Sequence, residues 1–164
     1  MLERYFTEEW EWECCGGDLL IGQDVQLCVE VDSEYAQNMR AEFTHVLPEA
    51  LTGVETHHDD DPVIINGRVV ALHAVIADVK WTVTPRTTPD PVPQVLGDGV
   101  VVSIGNTELG QAEGENVKGT SRLLPVSTLP DRSVVPEDSE PDCSVLGEQI
   151  RADLSGYVIT IEVD

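Results

Sequence analysis

The run His57-His58-Asp59-Asp60-Asp61 holds the residue types best suited to chemistry. Imidazole and carboxylate are good ligands for zinc and other divalent ions, and a thiol from Cys14 or Cys15 could complete a tetrahedral set. His57, His58, Asp59, Asp61, Cys14 and Cys15 are therefore the candidate metal ligands. Zinc is the ion they would suit, and metal-dependent hydrolysis the chemistry it would allow. Two features weigh against such a site. Consecutive side chains diverge, and no CxxC or HxxxH spacing sets two ligands on one turn of chain. A solvated acidic loop leading into the apolar run at Val63, with no cofactor, is the simpler expectation.

Cys14-Cys15-Gly16 is the second group of interest. No basic residue lies nearby to lower a thiol pKa, and the surrounding glutamates would raise it. Cysteine is also among the most commonly buried residues, so one of the pair is expected to pack with Trp10 and Trp12. A disulfide between the two is not expected, since neighbours on a strand point to opposite faces. His73 sits in an apolar run and reads as a core histidine. Trp10, Trp12 and Trp81 could stack on a base or sugar, but core packing is the better reading because basic residues around them are sparse. The chain has no GxSxG elbow, no phosphate loop, no HExxH and no EF-hand spacing. No catalytic set is assembled.

The 164 residues carry 31 Asp plus Glu against 9 Lys plus Arg, a formal charge of -22. A chain this acidic repels phosphate backbones and anionic membranes, which disfavours direct nucleic-acid or lipid binding. The acid is uneven: residues 1–61 carry -14 and residues 62–164 carry -8. Hydrophobic residues make up 41% of the chain, enough for a real core. The N-terminus lacks the pattern of a secretory signal and no apolar run is long enough to span a bilayer, so a cytoplasmic protein is expected. Its four cysteines are then expected to be thiols or metal ligands.

These groups must be positioned mainly by strands. Period-two alternation predicts a strand over Glu9–Cys14, a turn at Gly16-Gly17-Asp18, and an antiparallel partner strand over Val25–Val31. Asp32-Ser33 offers a cap for a short helix over 34–44 with Tyr35, Met39 and Phe43 on one face. Ser144–Leu154 is a second helix candidate. Val63–Val83 is the longest β signal, with a bend or hairpin expected near Asn66-Gly67. Prolines make 85–98 a loop, Val100–Ile104 reads as a short strand, and 105–142 reads as exposed loops. Gly156–Val163 closes the chain as a strand. The expected fold is a single domain over 1–164, all-β or β-rich α+β. It would form a small barrel or strongly curved antiparallel sheet, with one or two short helices and long Pro/Gly-rich loops.

Trp12-Glu13-Cys14-Cys15-Gly16, followed after five residues by Gly22-Gln23-Asp24-Val25, resembles the opening of a small bacterial domain family. In that family a strand ends in Cys-Cys-Gly and a Gly-Asp pair leads into the second strand; here Gln23 separates the pair. Asn66-Gly67-Arg68-Val69 and the closing strand resemble its later segments. The resemblance implies a compact β domain and no particular activity. In strand order the chain is also similar to OB- and SH3-like barrels, at the level of fold.

Three functions fit. The first is a non-catalytic binding module whose acidic face meets a basic protein surface. The second is a metal-binding protein or metal-dependent hydrolase using the His57–Asp61 run, with a divalent cation as its ligand. The third is an acidic mimic of nucleic acid that occupies a basic cleft. The charge alone would also suit a salty or solubility-selected background, with no partner implied.

Overall fold

A computed structural model describes every residue except 48, 58–61, 87–93, 97–99, 103–109 and 164. Its backbone is built around one long strand. In chain order the elements begin with β1 (Leu2–Glu8), α1 (Glu9–Cys15), β2 (Leu19–Leu20), β3 (Asp24–Glu30), α2 (Glu34–Phe43) and β4 (Gly53–Glu55). There follow β5 (Val63–Thr84), β6 (Gln94–Leu96), β7 (Val100–Val102), β8 (Gln111–Asn116), β9 (Arg122–Val126), β10 (Thr128–Leu129) and β11 (Gly147–Glu162).

One edge of β5 pairs antiparallel with β11, from Arg68–Glu162 to Val83–Gly147. The opposite edge is shared in sequence by β3, β9 and β8. β1 lies antiparallel on β11 and parallel on β4, and β4 pairs antiparallel with β3. The hydrogen-bonded path β11–β1–β4–β3–β5 therefore returns to β11. The sheet is mixed rather than purely antiparallel, because β1 and β4 run in the same direction with α1, β3 and α2 between them.

Two cores follow from the alternation of side chains. Tyr5, Leu27, Val29, Leu72, Tyr157 and Ile159 fill one face together with Trp12 and Leu129. Phe6, Val54, Val75 and Val158 fill the other beneath Ala36 and Phe43 of α2. Helix α2 forms where the sequence predicts it. Ser33 Oγ accepts from Ala36 N at 3.0 Å, and Phe43 meets Phe6 with ring centroids 5.2 Å apart. Arg40 fastens the helix to the sheet. Its Nε donates to Leu51 O at 3.0 Å, and its Nη2 donates to Val31 O at 2.5 Å and to Thr52 O.

Several expectations fail for identifiable reasons. The Glu9–Cys14 alternation is helical, not extended: it forms α1, which buries Glu11 and Trp12 while Trp10 is 57% exposed. Accordingly β3 pairs with β4 and β5 rather than with that segment. No hairpin occurs at Asn66-Gly67. β5 continues through it, with β3 paired along one edge as far as Arg68 and β11 starting at Arg68 on the other edge. Gly67 is needed for close approach, since a Cβ would lie 2.8 Å from the Glu162 carbonyl oxygen. Gly156 is tighter still, its Cβ position falling 2.2 Å from Thr7 O. The Ser144–Leu154 helix is instead largely the first half of β11. The 105–142 loops contain β8, β9 and β10, and the 85–98 loop contains β6, which pairs with β7.

Candidate functional site

A cleft of about 520 Å³ lies between helix α2, α1, β5 and β11. Its apolar lining comes from Phe6, Met39, Phe43, Ala77, Val79 and Leu154. The stripe Tyr35, Met39, Phe43 therefore divides its work: Phe43 is buried, whereas Tyr35 is 37% exposed. Trp10, Tyr35 and Trp81 supply aromatic surface, and Glu8, Glu9, Glu42 and Asp153 supply carboxylates. Gly114 keeps β8 close to Trp81, whose ring would lie 2.8 Å from any Cβ at that position.

The carboxylates differ in their engagement. Glu8 accepts from Trp10 Nε1 through one oxygen and from the Tyr35 hydroxyl through the other. Burial first, and then this hydrogen bond, hold the Tyr35 hydroxyl well above its ordinary pKa. Glu42 Oε1 accepts from Gly119 N and Ser121 Oγ, each at 3.1 Å, and so ties α2 to the turn after β8. Glu9 and Asp153 have no comparable neutralisation. Burial raises the Glu9 pKa, with Glu13 and Asp153 adding to it and Arg132 opposing. Burial likewise raises that of Asp153; the Leu154 N–H, 2.8 Å from its Oδ1, works against the shift and Glu140 works with it. Arg132 is itself engaged by Glu13, with Nη2 2.9 Å from Oε1.

A second group of acids lies where α1 meets the end of β4. Glu11 Oε1 accepts from Thr56 Oγ1 at 2.5 Å and from His57 N at 2.9 Å. The Glu55 side chain is fully buried, and its Oε1 lies 3.1 Å from His57 Nε2. That approach is a close contact without an aligned hydrogen bond. Burial, with Glu11 adding to it and Thr7 opposing, pushes the Glu55 carboxyl up to about 7. The His57 ring lies 6.2 Å from that of Trp12.

Of the metal candidates, His57 is thus placed beside Glu55, while His58, Asp59, Asp60 and Asp61 lie outside the described residues. Among the described residues, no three His, Cys, Asp or Glu side chains are grouped to hold a metal ion. Cys14 and Cys15 are both exposed, so neither packs with the tryptophans as expected. The Cys15 thiol is raised, first by its hydrogen bond with Cys14 and then by burial and nearby carboxylates. His73 is half-buried in β5, where burial and Arg4 lower its pKa, as suits a neutral core imidazole.

Sequence reasoning found Tyr35, Met39 and Phe43 as a stripe and missed Glu8, Glu9, Glu11, Glu55 and Asp153 as site residues. Their only signal was a carboxylate placed next to apolar neighbours. Among the described residues no helix is long and apolar enough to cross a membrane. No curated protein and no solved structure matches the chain. The model of a family of unknown function, DUF6578, matches residues 1–163, and the chain belongs to that family.

Proposed function

We propose that this protein is a non-catalytic interaction module that docks a basic protein partner at the cleft between α1, α2, β5 and β11. One observation supports this reading above the others. Glu9 and Asp153 line an apolar, aromatic recess, where burial first and neighbouring carboxylates second raise their pKa. A cation entering the recess relieves that repulsion and gains cation–π attraction from the rings around it. The chain's formal charge of -22 draws basic partners over longer range. The circuit of strand pairings favours a small-barrel scaffold, which would hold the two helices in fixed positions around the recess.

Fluorescence anisotropy of a labelled peptide mixing lysine and arginine tests this, with an acidic peptide as control. Binding should weaken about tenfold in Trp10→Ala, a change at an exposed ring that leaves the core intact. It should also strengthen as pH rises out of the acidic range, because Glu9 and Asp153 must ionise to hold a cation. Equal binding by Trp10→Ala and the wild type would overturn the reading.

A further inference from the structure

The carboxylates of the cleft are not equivalent, and the difference specifies the ligand group. Glu8 is committed to Trp10 and Tyr35, and Glu42 to Gly119 and Ser121. These two acids shape the wall. Glu9 on α1 and Asp153 on β11 remain: both line the cleft, they come from different elements, and the Asp153 charge adds to the raised pKa of Glu9. Trp10, Tyr35 and Trp81 line the same cleft, with Trp10 more than half exposed. Resting on the reading of the cleft as a docking site for a basic partner, we infer that it receives one arginine side chain, whose guanidinium bridges Glu9 and Asp153 and stacks on Trp10.

Three physical points select guanidinium over ammonium. Two acceptors on separate elements are met by a planar fork with donors at both ends, whereas an ammonium is a compact point charge. A flat delocalised cation also stacks on an indole face. Guanidinium is the more weakly hydrated of the two, so it gives up less on entering a recess whose lining includes Phe6, Phe43, Val79 and Leu154. The arginine stem then lies along that apolar surface. Two of the chain's own cations are placed otherwise. Arg132 is held by Glu13. Lys118 also lines the cleft but is exposed, and it follows β8 on the side of the turn that Glu42 binds.

The test compares three peptides of one sequence carrying arginine, lysine or citrulline at a single position, titrated against the intact protein and Glu9→Gln/Asp153→Asn. Tryptophan emission reports occupancy, since Trp10 and Trp81 both line the cleft. The arginine peptide should bind about tenfold more tightly than the citrulline one and clearly better than the lysine one. The double variant should erase the difference while its thermal unfolding remains cooperative. Citrulline keeps the shape and removes the charge, so this arm needs no altered protein. Equal binding of arginine and lysine peptides, lost in the double variant, would overturn the guanidinium inference and leave the docking site standing. Binding of the arginine peptide unchanged by the double variant, or no binding of any peptide, would overturn both.

Discussion

Glu11 Oε1 accepts the His57 backbone N–H at 2.9 Å, so a carboxylate on α1 caps the chain as it leaves β4. The same oxygen takes the Thr56 hydroxyl at 2.5 Å, and Glu11 is only 6% exposed. A seven-residue helix has little stability of its own, so these bonds and the burial of Trp12 hold it in place.

Removing that acceptor leaves the part-buried His57 amide and the Thr56 hydroxyl without it. Glu11→Ala is expected to lower stability by about 2 kcal/mol in urea denaturation. Glu11→Gln retains a carbonyl acceptor and should recover part of that loss. Equal loss in both variants would show that the charge, and not the cap, is what α1 requires.

Glu55 makes stability depend on pH in a direction opposite to that of an ordinary ion-paired acid. Burial pushes its folded carboxyl up to about 7, above its ordinary value of 4.5. The folded state therefore holds this proton more tightly than the unfolded chain. The group is neutral in its site at low pH and becomes increasingly unfavourable as pH rises from about 4.5 to about 7, after which the penalty is constant. Glu55→Gln removes the titration. It should gain up to roughly 3 kcal/mol relative to wild type at pH 8 and much less at pH 4. Thermal melts across that pH range check this, and a variant that is equally destabilised at both ends would contradict it.

Gly156 lies where β1 and β11 come closest. A methyl group there would sit 2.2 Å from Thr7 O and 2.6 Å from the Phe6 ring. Both strands carry core residues on either side of the contact, so neither can yield without disturbing packing. Gly156→Ala should cost about 3 kcal/mol or more. Gly17→Ala, with open space around its Cβ position, is the matched control and should be near neutral. Chemical denaturation of the two variants side by side gives the comparison.

The parts of this fold that were legible in the sequence are those where local chemistry and burial agree. Ser33 and the Tyr35–Met39–Phe43 stripe specify α2, and the alternation through Leu27 and Val29 specifies β3. Helix α1 was illegible because seven residues show too few turns for period 3.6 to outvote the Glu/Trp alternation. β8 was illegible for another reason: Gln111–Asn116 is almost wholly exposed and carries no apolar face, and its pairing with β5 is a backbone matter. The cleft was hidden because carboxylates normally signal solvent. Glu9, Glu11, Glu55 and Asp153 are drawn inward by neighbours distant in sequence, and only the assembled chain brings these together.

The pairing of β1 with β11 unites the two ends of the sequence, residue by residue from Leu2–Glu162 to Glu8–Gly156. A chain emerging from the ribosome in order thus makes β1 first and must wait for β11 before that edge can close. Part of the Tyr5 and Phe6 environment, including Tyr157 and Val158, is likewise missing until then. Contacts of such sequence separation are slow to form. The N-terminal strand, with its row of unmet backbone groups, is therefore exposed during synthesis for as long as the remaining chain takes to arrive. The strong negative charge over residues 1–61 adds like-charge repulsion between such unfinished chains.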